Sequence, residues 1–185
     1  MSKKLLVLIH DKFQDYELIA VLSTLIKAKV FTEINYFNFA DITDFNGQYN
    51  LVNIKNDKEK IYQKLYNYDA IFIPGGQGAQ LLRKDSKALN LISDFIKKEK
   101  WVFAICDAPN ALFENNVFDP DTHYTAYPID NQIKGTNFTN NDVVQDKNII
   151  TARSASCSLN LALKIIEIFN GIDAKNQIEK SLNGA

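Results

Sequence analysis

A chain of 185 residues is long enough for one domain with a core of its own, and 46% hydrophobic residues is the composition of a globular protein. A net charge of −1, with 23% charged residues, supplies no basic field for nucleic acid or an anionic membrane surface. Two cysteines exclude a disulfide framework, and no stretch approaches the roughly 18 apolar residues of a membrane span.

The opening MSKK is basic, but the apolar run after it, Leu5 to Ile9, is too short for a signal-peptide core. That run instead has the pattern of a parallel strand buried on both faces. The expectation is a single domain over residues 1–185 in a reducing, cytoplasmic setting. Asp15 to Lys29 has helical spacing, with Leu18, Val21, Leu22, Leu25 and Ile26 on one side. Phe31 to Phe39 reads as a second strand. Asp41 to Asn56 is polar, with one apolar piece at Tyr49 to Ile54, and Asp57 to Tyr66 is expected to be helical.

Ala70 to Ile73 is another buried strand, closed by Pro74-Gly75-Gly76. Ser86 to Lys98 is an amphipathic helix with Leu89, Ile92, Phe95 and Ile96 inward and Ser86 as the expected N-cap. Trp101 to Ile105 is a strand and Ala108 to Phe113 a short helix. Asp119 to Asp146 reads as loop, with hairpin-like pieces around Ile133 to Phe138. Asn148 to Ala152 is a late strand, and Ser156 to Phe169 an apolar helix stopped by Asn170-Gly171.

Strands alternating with helices imply a parallel sheet covered on both faces, and such sheets bind ligands outside the carboxyl ends of their strands. Three unusual stretches fall at strand ends: His10 to Glu17, Pro74 to Gly78 and Cys106 to Pro109. A thiol on a strand-to-helix turn stands exposed above the sheet, and a helix start favours thiolate over thiol. The amide of Asp107 and the backbone of Gly75-Gly76 could hold an oxyanion. The alternative for Cys106 is a small buried hydrophobe, and for the glycine pair a plain turn. No metal-ligand spacing is present, and Gly75, Gly76 and Gly78 lack the dinucleotide fingerprint, so neither metal nor cofactor is expected.

Ala104-Ile105-Cys106 with Pro109, Ile73-Pro74-Gly75-Gly76, Glu17 early in the first helix, and Thr151-Ala152-Arg153-Ser154 before the last long helix together resemble the ThiJ/PfpI superfamily. This group is related to class I glutamine amidotransferase domains and includes the parkinsonism-linked deglycase. The resemblance runs from about residue 3 to 172. It implies a flavodoxin-like three-layer α/β sandwich with a mostly parallel central sheet, and a homodimer. It also implies that Cys106 is the reactive cysteine, that the Glu17 carboxyl bonds its sulfur, and that Gly75, Gly76 and the Asp107 amide bind an oxyanion. Independently, a carboxyl beside a thiolate should have a raised pKa and share one proton with the sulfur. A solvent-facing residue at a helix start is the alternative for Glu17.

The match departs from the pattern at its histidines. Tyr127 stands where some relatives carry a histidine before a proline, and Asp107 stands where protease-like relatives carry one directly after the cysteine. This argues against thiol peptidase chemistry, which wants an imidazole, and no glutaminase Cys-His-Glu set can be assembled. His10, at the carboxyl end of the first strand, is a candidate to reach the site; His123 reads as a loop residue. Asp107 either caps the helix or, pointing inward, opposes thiolate formation. Arg153 either helps bind an anion or oxidised cysteine, as the resemblance implies, or makes a surface ion pair. Cys157 is a buried helix residue or a resolving partner for Cys106. Two functions follow. One is a cofactor-independent glyoxalase or deglycase acting on small reactive carbonyls, with Cys106 as nucleophile and Glu17 as proton shuttle. The other is a non-enzymatic sensor of oxidants, or chaperone-like binding protein, using a Cys106 sulfinate.

Overall fold

Short apolar runs buried on both faces must be sandwiched between helices, and that requirement organises the computed structural model, which describes residues 3–185. Residues 1 and 2 of the opening MSKK lie outside the described residues. β1 (Lys4–Leu8) leads into α1 (Asp15–Lys27) and β2 (Glu33–Phe37). A hairpin of β3 (Asp44–Asn46) and β4 (Asn53–Lys55) precedes α2 (Lys58–Ile61) and a 3-10 segment at Tyr62–Asn67. β5 (Ala70–Ile73), α3 (Ala79–Leu82) and α4 (Ser86–Lys97) follow, then β6 (Trp101–Ile105) and α5 (Ala108–Glu114). β7 (Tyr124–Thr125) and β8 (Phe138–Thr139) pair with each other before β9 (Val143–Asp146), β10 (Ile149–Ala152), α6 (Ser158–Asn170) and α7 (Ile172–Leu182).

The central sheet has the order β2-β1-β5-β6-β10-β9, parallel except for β9, which runs antiparallel to β10. One face is covered by α1 and α6, whose Leu18, Val21 and Leu25 share a core with Leu161 and Ile165. The other is covered by α4 and α5 through Leu89, Ile92, Phe95 and Leu112. Each such buried side chain stabilises the fold by about 1.5–3 kcal/mol. The result is a flavodoxin-like three-layer sandwich. The carboxyl ends of β1, β5 and β6 lie side by side at its centre, because Val7 pairs with Phe72 and Ile73 with Ala104.

Several local expectations need correction. Ser86 does not cap α4: the Asp85 side chain does, accepting from the Ala88 amide at 3.0 Å. Ile26 is 58% exposed, because the buried stripe of α1 is already complete with Leu18, Val21, Leu22 and Leu25. α1 stops at Lys27 because Lys29 takes a left-handed φ of 52°. The expected helix at Asp57 to Tyr66 divides into one α turn and a 3-10 segment. The expected hairpin near Ile133 to Phe138 is absent. Phe138–Thr139 pairs in parallel with Tyr124–Thr125, and the Tyr124 ring stacks on Phe113 at 5.1 Å and meets Phe138 at 5.5 Å. The last apolar helix begins as a 3-10 turn, Ala155–Cys157.

The sequence marks the β3–β4 hairpin only by one apolar piece, and its position is set from outside. The Asp15 carboxylate accepts from the amides of Tyr49, Leu51 and Val52, each at 3.0 Å. A Cβ at Gly47 would overlap that carboxylate, at 2.0 Å from its oxygen, so only glycine fits. This clamp carries Gln48 and Tyr49 to the sheet edge where the three strand ends meet.

Candidate active site

β6 ends at Ile105, and the chain turns into α5 through two residues, Cys106, with φ at +63°, and Asp107. A side-chain-bearing residue in that left-handed region is strained, and it persists only where its surroundings hold it. Here the Cys106 amide donates to the Ala152 carbonyl at 2.9 Å, and its carbonyl accepts from the Tyr127 amide at 2.8 Å. Pro109 sits in the first turn of α5, where its missing N–H goes unused. The loop after β5 presses against the elbow. A Cβ on Gly75 would stand 2.7 Å from both the Cys106 Cβ and the Ile105 carbonyl oxygen, and Gly76 needs its φ of +81°.

Glu17, in the first turn of α1, is 0% exposed. Its Oε2 accepts from the Gly75 amide at 2.8 Å, while Oε1 is buried with no hydrogen-bond partner among the described residues. Burial is the main force pushing its pKa up, to about 7; the neighbouring Cys106 thiol and the bond from the Gly75 amide oppose the rise, and the charge of Asp107 adds to it. The Cys106 thiol is also pushed up, first by burial and then by the Glu17 carboxylate, against the amides of Gly76 and Asp107. The expectation that a helix start would lower the thiol's pKa is therefore overturned by burial. α5 is also only seven residues long, which limits its dipole. With the Glu17 carboxyl at about 7 and the thiol higher, the pair holds two protons below neutral pH and one above it. When that proton rests on Glu17, its carboxylate no longer opposes the thiolate, and the two amides then favour it.

The Asp107 side chain neither caps α5 nor stays unpaired. Its two oxygens take Nη1 and Nη2 of Arg83 at 2.8 and 2.7 Å, and Arg83 Nε donates to Glu114 at 2.6 Å. Gln80 also donates to Asp107, at 3.3 Å, and Asn110 donates at 3.1 Å. Burial works against the charge on Arg83, but its bonds to the two carboxylates outweigh that and raise its pKa.

The cleft over Cys106 has a volume of about 470 Å³. Glu17, Gly76, Asp107 and Tyr127 line it, as do four glutamines, Gln14, Gln48, Gln77 and Gln80, and Tyr49. Gly75 lies directly beneath, but its amide is committed to Glu17 rather than free for an oxyanion. His10 and Arg153 are not among the lining residues. His10 bonds Asp85 at 3.1 Å beside a neighbouring hollow, and Arg153 pairs with Asp142 at 2.7 Å. Cys157 is 2% exposed, and both cysteines are free. Larger hollows lie near Trp101, of about 620 Å³, and around Lys58, of about 810 Å³, but neither has a cysteine in its lining. Among the described residues no group of three His, Cys, Asp or Glu is arranged to hold a metal ion.

Sequence reading missed the glutamines, Tyr49 and Arg83. Gln77, Gln80 and Arg83 recur at three-residue spacing after the glycine pair, the only available signal. Gln48 and Tyr49 gave none, since the Asp15 clamp that delivers them spans more than thirty residues.

Fold and site define a class: α/β sandwiches with a strained cysteine elbow facing a buried acid. Residues 3–168 match the DJ-1/PfpI family, and the chain belongs to that family. It is 34% identical to an uncharacterized protein of Mycoplasma genitalium over 187 residues, covering 99% of this chain and 97% of that one. It is 30% identical over 157 residues to protein/nucleic acid deglycase 2 of Escherichia coli, covering 83% and 90%. Among solved structures, Drosophila melanogaster DJ-1beta superposes with a TM-score of 0.83 at 23% identity, covering 98% of each chain, a likeness of fold.

Proposed function

We propose that the protein is a cofactor-independent, cysteine-dependent enzyme of the glyoxalase or deglycase kind, acting on small reactive dicarbonyls or their adducts. The observation that carries this is Glu17: fully buried, with one oxygen lacking a partner, coupled to the sulfur of Cys106 at the floor of an open cleft. A buried acid with a pKa near 7 is suited to both giving and taking a proton at neutral pH. Cys106 adds to the aldehyde carbon to form a hemithioacetal, and the amides of Gly76 and Asp107 hold the oxyanion. Glu17 takes the proton from that carbon and returns it to the neighbouring carbonyl carbon, leaving a thioester. Water cleaves the thioester to a hydroxy acid and frees the thiol. The deglycase name of the Escherichia coli relative supports the reading.

A second reading, a sensor of oxidants, is favoured by one observation: no imidazole lines the cleft, while two amides face the sulfur where a sulfinate would sit. The test is intact-mass analysis of wild type and Cys106→Ser after methylglyoxal or dilute peroxide, with D-lactate measured in parallel. Lactate from wild type alone supports the enzyme. A gain of two oxygens at Cys106 without turnover supports the sensor. No Cys106-dependent change under either treatment sinks both.

The proposal extends to a single domain over residues 1–185 working in the cytoplasm as a homodimer. Tyr16, Ile19 and Ile26 are exposed on the outer face of α1, with Tyr49 and Leu51 exposed on the loop that α1 anchors. This is an apolar surface that a second copy would cover. Light scattering at micromolar concentration should return twice the chain mass.

A further inference from the structure

The residue after the nucleophile is an aspartate, an awkward neighbour for a thiolate. Its charge acts on Glu17 and raises that group's pKa, so it opposes negative charge in the very pair that must handle a proton. Asp107 is 7% exposed, too buried for water to screen it. The structure supplies a specific answer in Arg83, which follows α3 and takes both carboxylate oxygens in a fork with bonds of 2.7 and 2.8 Å. Such bidentate pairs fix geometry as well as charge. Arg83 is in turn held by Glu114 at the end of α5. Asn110 then ties Asp107 to the far wall of the cleft, donating to the Tyr127 carbonyl at 3.0 Å, and the Tyr127 amide bonds the Cys106 carbonyl. A continuous polar chain runs from Arg83 to the backbone of the strained elbow.

We propose that Arg83 is a positioning residue for Cys106: by clamping the Asp107 carboxylate it keeps that charge from opposing thiolate formation and holds the elbow in place. Arg83 does not line the cleft, so it acts on substrate only through Asp107. The charged and titratable groups facing this region are Glu17 from α1, Arg83 at the end of α3, Glu114 from α5, and the hydroxyls of Tyr49 and Tyr127 in the cleft; no lysine or histidine lines it. Loss of Arg83 therefore leaves the Asp107 and Glu114 charges uncompensated.

The inference rests on Cys106 being the reactive group, but its test needs no turnover. The full chain is alkylated with iodoacetamide from pH 5 to 10, and the rate is read at the Cys106 peptide by mass spectrometry. Arg83→Met should raise the pH midpoint by about one unit, a roughly tenfold lower rate below the midpoint. Asp107→Asn alone should lower the midpoint. Arg83→Met with Asp107→Asn should return it towards wild type, since the charge needing compensation is gone. Should Arg83→Met fail to fold, Arg83→Lys, which keeps the charge but loses the fork, should give a smaller upward shift. A merely structural Arg83 predicts a lower melting temperature with the midpoint unmoved, and that result overturns the proposal. So does a double variant as displaced as Arg83→Met. D-lactate release is scored separately: an inactive protein whose midpoint still follows Arg83 removes the enzyme reading and keeps the clamp.

Discussion

The two cysteines make an instructive pair, because each has an arginine–aspartate ion pair beside it. Cys106 is flanked by Asp107–Arg83, and Cys157 lies close to Arg153, which pairs with Asp142. Their backbones differ: Cys106 has a φ of +63°, Cys157 an ordinary −89°. Their sulfurs differ more. Cys106 faces a cleft and a buried acid, whereas Cys157 is 2% exposed and meets the hydroxyls of Ser154 and Ser156 at 3.5 and 3.9 Å. A thiol becomes a chemical centre through exposure, strain and a proton partner, and a nearby arginine is not enough.

The largest expected effect concerns the proton partner that Cys157 lacks. The folded pKa of Glu17, about 7, lies above its ordinary 4.5, so folding favours the protonated acid. Its contribution to stability is fully present below about pH 4.5, is lost as pH rises to about 7, and is flat beyond. Glu17→Gln removes that loss. Denaturant midpoints should show the variant gaining on wild type by on the order of 3 kcal/mol between pH 4 and 8. A constant difference across that range would mean that Glu17 does not hold a proton.

Next comes the strained backbone. Gly75→Ala places a methyl 2.7 Å from the Cys106 Cβ and should cost about 2 kcal/mol, measured by urea unfolding. It should also slow Cys106 alkylation. Gly171→Ala, which meets nothing within 4 Å but keeps a φ of +90°, should cost about 1 kcal/mol and leave alkylation unchanged. Equal effects of the two on Cys106 would dissolve the distinction between strain at the elbow and strain elsewhere.

Exposure is tested by labelling. Iodoacetamide at pH 8 should modify Cys106 at least about tenfold faster than Cys157, since the latter needs local opening. The smallest effect is expected from Arg153→Ala. Its side chain lies outside the cleft lining, so the Cys106 alkylation rate should stay within about twofold. A larger change would restore Arg153 to the site.

The fold was largely legible because its signals are local. Leu5 to Ile9, Ala70 to Ile73 and Trp101 to Ile105 are apolar runs that only a covered sheet can bury, and α4 shows its stripe openly. α7 was not read: none of its residues is fully buried, and it reaches the core only through the partly buried Ala174 and Ile178. β7 and β8 were hidden too, being two residues each and joined across a loop, with an edge-to-face contact of Tyr124 and Phe138. At the site, Cys106, Glu17 and the glycine pair could be named from motif and order. The Arg83 fork could not, because the residues it joins are 24 apart in the chain.

By itself the amino-acid order determined the layered architecture, the three strand ends that converge, and the thiol standing at one of them. These follow from periodicity and turn chemistry, which act over a few residues. Only the tertiary structure decided that burial raises the pKa of both partners in the Glu17–Cys106 pair, that Asp107 turns to Arg83, and that His10 and Arg153 line no part of the cleft. Desolvation and charge pairing depend on distance in space, and distance along the chain carries almost no record of it.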